Sequence, residues 1–198
     1  MYKESFLEMA KRHKERDILV QGEWDMCSVG CFNRDYGNAL DDFEALSLST
    51  GYPEWVHRVQ EAVFESLTED DAINWHVQFA QKMETVKDFE AFYHSIMVSV
   101  LEPVLPYDKY GVAQTVIDLH KDYKNVTSED WDVFSDAAAR AEMAGASFWG
   151  DVAMDVARFA MSSASVTNII DMVFTMGAVF WMDWEEVRDV FLNANGGE

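Results

Sequence analysis

The chain reads as an all-α protein, a multi-helix globular bundle with one short irregular, cysteine-containing segment near its N-terminus. Three observations predict this. Apolar residues recur at three- and four-residue spacing along most of the chain, while the strict alternation of a half-buried strand is rare. Three prolines and ten glycines punctuate 198 residues, which leaves little room for linkers. A hydrophobic fraction of 49%, with 14% aromatic residues, is enough for a core. Disordered chains combine high charge with low hydrophobicity, and only the charge is present here.

Ser5-Phe6-Leu7-Glu8 has the spacing of a capping box and predicts a charged helix to about Arg16. Ile18-Leu19-Val20 suits a strand or a packed turn equally. Gly22, Gly30 and Gly37 mark Gly22 to Asn38 as irregular. Asp41 or Asp42 caps a short helix over Phe43, Leu46 and Leu48, which Gly51 ends. Pro53 fits the start of the next helix, whose inward residues are Trp55, Val56, Val59, Val63, Phe64 and Leu67. Thr68-Glu69-Asp70-Asp71 supplies a cap and three acids to a positive helix end, ahead of Ala72, Trp75, Phe79, Ala80 and Met83. Phe89 to Leu101 forms a further helix, which Pro103 and Pro106 interrupt. Val112 to Tyr123 forms another.

From Val126 the composition shifts. Ser128-Glu129-Asp130 caps an alanine-rich helical stretch to about Ser162. Asn168 to Trp181 is apolar almost all round and predicts a central buried helix. Asp183-Trp184-Glu185-Glu186 opens the last helix, to about Leu192. The organisation expected is residues 1–125, a helical region with a Cys-x3-Cys loop, and residues 126–198, an alanine- and methionine-rich helical region, packed together as one domain.

Fifteen basic residues face 36 acidic ones, for a formal net charge of -21. Such a surface repels nucleic acid and anionic lipid, so neither is an expected partner. It attracts a basic protein; solubility is the plainer account of the same charge. The first residues lack the basic-then-apolar pattern of a signal peptide. The longest apolar run, Met172 to Met182, falls short of the ~20 residues a span needs. A cytoplasmic location is the expectation.

Four constellations bear on chemistry. Cys27-Ser28-Val29-Gly30-Cys31 places two thiols four apart. They suit a buried pair of small hydrophobes, a local disulfide, a nucleophile, or two zinc ligands completed by a histidine such as His57. Glu54 and His57, three apart, share a helix face as in carboxylate-bridged metal bundles, but those need a second such pair. Acidic residues cluster at Glu69, Asp70 and Asp71, at Asp118 and Asp122, and at Glu129, Asp130, Asp132 and Asp136. Helix starts account for part of these. The like-charge pairs Asp118/Asp122 and Asp132/Asp136 cost a few tenths of a kcal/mol each in a helix, and stability does not explain them. Finally, the aromatic and methionine residues of the last third suit a core, with a homo-oligomer interface as an alternative.

Cys27-Ser28-Val29-Gly30-Cys31, then Gly51 and Pro53, Phe64-Glu65 with Leu67, and Ala72, Trp75 and Phe79 resemble a family of uncharacterised bacteriophage and bacterial proteins. The resemblance implies a phage or mobile-element origin and transfers no functional residue. Together these readings predict a non-enzymatic, acidic binding protein without a cofactor: a phage-type accessory inhibitor that occupies the basic nucleic-acid-binding surface of a host defence protein, as a DNA mimic. Its contact residues would be the acidic clusters named above. A small zinc- or thiol-dependent protein built on Cys27, Cys31 and His57 is the alternative, and a structural or assembly protein is a third.

Overall fold

The computed structural model describes residues 4–108, 111–127, 129–130 and 183–197. Of these, 69% are helical and none lies in a strand. The all-α expectation is met. The alanine-rich stretch and the helix expected over residues 168–181 lie outside the described residues, as do Ser128, Asp132 and Asp136. No helix among the described residues is long and apolar enough to cross a membrane.

Two units are distinguished: residues 1–89 with 184–192 and 198, and residues 90–183 with 193–197. The first contains α1 (Phe6–Glu15), α2 (Ser28–Tyr36), α3 (Phe43–Thr50), α4 (Glu54–Ser66) and α5 (Glu69–Met83). It also contains most of the final helix described, α8 (Trp184–Asn193). Ser5 and Glu8 form the expected capping box on α1. Asp42 caps α3 through the Ala45 N–H, and Gly51 ends that helix in the left-handed conformation a side chain disfavours. Thr68 precedes α5 but makes no cap bond with its side chain; its hydroxyl donates to Asp71 instead.

Helix α1 packs on α5, α5 on α4, α4 on α3, and α2 lies against both α3 and α4. Phe6 stacks on Phe32 with centroids 3.9 Å apart, and Phe32 stacks on His76. Trp75, Phe79 and Phe191 of α8 form a second aromatic group with centroids 5.4–5.6 Å apart. All three are fully buried. Burial of each phenylalanine contributes about 1.5–3 kcal/mol.

Two sequence readings of this unit are sharpened. Ile18-Leu19-Val20 forms no strand; it connects turns at 16–17 and 21–22, with Leu19 buried and the Val20 N–H bonded to the Met26 carbonyl. The segment Gly22–Asn38 is not irregular throughout, because residues 28–36 form α2. The Cys-x3-Cys feature is therefore a helix start, with Cys27 at the N-cap and Cys31 one turn in, not a loop. Gly30, read as punctuation, is helical. It is glycine because a Cβ there would lie 1.6 Å from the Trp24 carbonyl oxygen. That is a backbone approach no other residue permits.

In the second unit, α6 (Phe89–Leu101) runs into a 3-10 turn at Glu102–Tyr107, where the two prolines fall. Helix α7 (Val112–Lys121) follows. Its first N–H groups are satisfied by Asp108, which accepts from Val112 at 2.9 Å and Gln114 at 3.0 Å. Phe92, Ile96, Met97, Val100 and Leu101 of α6 and Val112, Ala113, Val116 and Ile117 of α7 are buried. The next helix start is capped by Thr127, one residue before the serine expected to do so: Thr127 and Asp130 exchange side-chain-to-backbone bonds.

Candidate functional site

The interior of the first unit holds a continuous file of polar side chains contributed by all of α1 to α5. His57 Nδ1 lies 3.0 Å from Gln60 Oε1. Gln60 Nε2 donates to Ser28 Oγ at 2.6 Å. Ser28 Oγ lies 2.8 Å from His76 Nδ1, and His76 Nε2 lies 3.0 Å from His13 Nδ1. His13 Nε2 meets Asp35 Oδ2 at 2.8 Å. Thr50 Oγ1, 3.0 Å from His57 Nε2, stands at one end. Arg12 binds Asp35 at the other and is itself clasped by Glu4.

The hydrogens can be assigned in one consistent way. The Asp35 carboxylate only accepts, which fixes the hydrogen of neutral His13 on Nε2 and turns each bond behind it toward Asp35. The serine hydroxyl therefore donates to His76 Nδ1 while its oxygen accepts the Gln60 amide N–H. His76 then carries its hydrogen on Nε2 and donates to His13, which carries its own on Nε2 and donates to Asp35. His57 donates from Nδ1 to Gln60. Every bond from His57 to Asp35 thus points the same way, toward a carboxylate, and aligned bonds of this kind polarise one another.

Burial sets the protonation states. His57 and His76 are fully buried, and desolvation pushes His57 down to about 4 and His76 well below its ordinary value. Desolvation also lowers His13, although the Asp35 carboxylate opposes it. Burial alone would raise Asp35, but the hydrogen bonds from Arg12 and His13 overcome it and hold the carboxyl low. All three imidazoles are therefore neutral near pH 7. Ser28 and His76 have the pairing of a nucleophile and its base. Ser28 is 0% exposed, however, which leaves no space beside its oxygen for a substrate. The pair serves the interior instead, by satisfying groups that would otherwise be buried without partners.

The Cys27–Cys31 motif is explained by the same helix. Both cysteines are buried and free. Cys27 Sγ accepts the Gly30 N–H at 3.3 Å, and Glu61 of α4 accepts the Val29 N–H at 2.9 Å. Together they close the positive end of α2. Cys31 Sγ faces the Arg34 guanidinium at 3.5 Å. Burial raises the thiol of Cys31 to about 11 and that of Cys27 further, with the Glu61 charge adding to the latter. Burial likewise raises Glu61.

The residues proposed for zinc do not converge. Cys31 faces a cation, and His57 spends both ring nitrogens on Gln60 and Thr50. Cys27 instead lies with Glu61 and Glu65, their donor atoms within 4.8 Å of one another beside a cavity of about 300 Å³ that Trp24 also lines. This donor set matches a divalent ion in kind. Its carboxylates already have other duties: Glu61 holds the Val29 N–H and Glu65 accepts the Gly22 N–H at 2.7 Å. The positive end of α2 opposes a cation there. Glu54 and His57 also separate, since Glu54 faces outward to pair with Arg58.

The acidic residues divide between the units. Glu69 and Asp70 are exposed at the start of α5 and have no hydrogen-bond or ion-pair partner among the described residues, whereas Asp71 meets Arg188 at 3.7 Å. In the second unit Asp118, Asp122, Glu129 and Asp130 are all exposed. Asp118 accepts from the Gln114 amide, Asp122 from Asn125, and Asp130 from Thr127. None of the four contacts a cationic side chain among the described residues.

The histidine file was not foreseen from the sequence. Its members are 48 and 63 residues apart at the two central bonds, and a lone histidine on an apolar helix face carries no signal of its partner. Comparison with protein-family models, with curated proteins and with solved structures finds no match.

Proposed function

We propose that this chain is a non-enzymatic binding protein whose exposed carboxylates occupy a basic, nucleic-acid-binding surface on a partner protein. In this reading it is an accessory factor that blocks a host defence complex by standing in for DNA. The observation that carries the reading is the position of Asp118 and Asp122. They sit in the last turn of α7 and at its C-cap, both exposed, at the end of a helix where its dipole is already negative. Lys121 and His120 share that turn, yet neither carboxylate contacts them. Acids at the start of α5 benefit their helix; these do not. A basic partner offsets the cost, because its cationic side chains displace the counterions gathered at these carboxylates, as they do those on a phosphate backbone.

Competition tests this. The full chain, immobilised, is exposed to a nuclease-treated bacterial lysate. Proteins that bind nucleic acid should be retained, and duplex DNA or raised salt should release them. A variant with Glu69, Asp70, Asp118, Asp122, Glu129 and Asp130 changed to their amides should retain far less. Retention that added DNA leaves untouched, or equal retention by the amide variant, refutes the reading.

A further inference from the structure

We propose that Asn195 is a self-modification site, at which the backbone nitrogen of Gly196 attacks the side-chain carboxamide and converts this asparagine to aspartate and isoaspartate. The site is separate from the binding role proposed above and stands or falls independently of it.

Of the seven asparagines in the chain, Asn195 alone is followed by glycine. A side chain on the following residue hinders the approach of its nitrogen to the asparagine Cγ, and glycine has none. The structure adds three features. Asn195 is exposed, and its Oδ1 accepts the Gly197 N–H at 3.2 Å. That bond spans Gly196 and folds the carboxamide back along the backbone, as in an Asx turn. The same N–H draws electron density from the carbonyl and is placed to stabilise the oxyanion that forms at Oδ1 on attack. Second, the Asn195 N–H donates to Ser95 Oγ at 2.9 Å, which anchors the turn on α6. Third, the Gly196 N–H has no hydrogen-bond partner among the described residues, so no bond holds its proton. Gly196 is buried, but Asn195 and Gly197 on either side of it line an open cavity of about 320 Å³, which admits water to the turn.

The chemistry needs only the chain and water. The Gly196 nitrogen gives its proton to hydroxide and bonds to Asn195 Cγ. The tetrahedral centre then collapses, its bond to the side-chain nitrogen breaks, and ammonia leaves. The product is a five-membered succinimide. Water opens this ring at either carbonyl. Cleavage between Cγ and the Gly196 nitrogen gives aspartate. Cleavage between the main-chain carbonyl and that nitrogen gives isoaspartate, whose backbone runs through the former side chain. Either way one carboxamide and one water become one carboxylate and one ammonium ion. The new carboxylate belongs to a residue that borders the cavity lined by His94 and His120.

Peptide mapping of the full, folded chain, incubated at mildly alkaline pH, tests the site. Asn195 should gain the mass of an amide-to-acid exchange ahead of the other six asparagines. Isoaspartate should be found there by fragmentation and by labelling with an isoaspartyl methyltransferase, and a more acidic species should grow in ion-exchange chromatography. Because the Gly197 N–H assists, conversion in the folded chain should be at least as fast as in guanidinium chloride. Asn195→Gln and Gly196→Val should each lose it. Should the valine variant lose its helical circular dichroism, the glutamine variant and the comparison of folded with denatured native chain decide. No conversion, aspartate without isoaspartate, a folded chain slower than the denatured one, or an acidic species that persists in Asn195→Gln overturns the proposal.

Discussion

Acidification should unfold the first unit through its buried imidazoles, and His57 allows the size of the effect to be worked out. Its pKa falls from 6.5 in the unfolded chain to about 4 in the fold, because burial disfavours its charged form. Between those two values the unfolded chain binds more protons than the folded one. Stability from this group is therefore complete above pH 6.5 and is lost as pH falls toward 4. A shift of that span, at 1.36 kcal/mol per unit, makes the loss from His57 alone about 3 kcal/mol. His76 and His13 add to it with the same sign. Glu61 works against them, since its raised carboxyl is relieved on protonation. Urea unfolding followed by tryptophan emission at pH 7, 6, 5 and 4 measures the slope, with a constant m-value as the check on cooperativity. His57→Gln should be less stable at pH 7 and lose less on acidification. A stability that stays level from pH 7 to 4.5, or an equal slope in that variant, would refute the assignment of neutral buried histidines.

Three further outcomes follow from the same interior. Gly30→Ala sets a methyl group against the Trp24 carbonyl, and should cost more than about 2 kcal/mol in chemical denaturation. Ser28→Ala strands the Gln60 N–H and His76 Nδ1 at once; it should cost about 1–3 kcal/mol, and a double-mutant cycle with His13→Gln should reveal coupling above about 0.5 kcal/mol. Neither cysteine should react with a maleimide at pH 8 in the native protein, because both thiols are buried and raised, while both should react in urea; labelling of folded protein at the rate of the denatured chain contradicts this.

Features set by neighbours in the chain were legible in advance. The Ser5 capping box, the Asp42 cap, Gly51 and the start of α5 each depend on residues within one turn. What escaped depends on distant contacts. Gly30 signals a break in a sequence, but here it is a helical residue under a crossing carbonyl, and nothing near it announces that. Asp108 caps α7 across an intervening glycine, a longer reach than the usual cap spacing. Cys27 read as a possible ligand, while its geometric role is to accept the N–H of Gly30. The acidic clusters were visible as composition; that Asp118 and Asp122 fall at the unfavourable end of a helix emerged only with the boundaries of α7.

Gln60 gives the histidine file an insulator. Imidazole and hydroxyl groups can take a proton on one side and release another opposite, but a carboxamide cannot do so without abandoning its amide form. Traffic of protons along the row from Asp35 must therefore stop at Ser28, and His57 has to equilibrate with water by its own route past half-buried Thr50. The two stretches should exchange with solvent at separate rates, so one short side chain divides a single structural seam into two independent circuits.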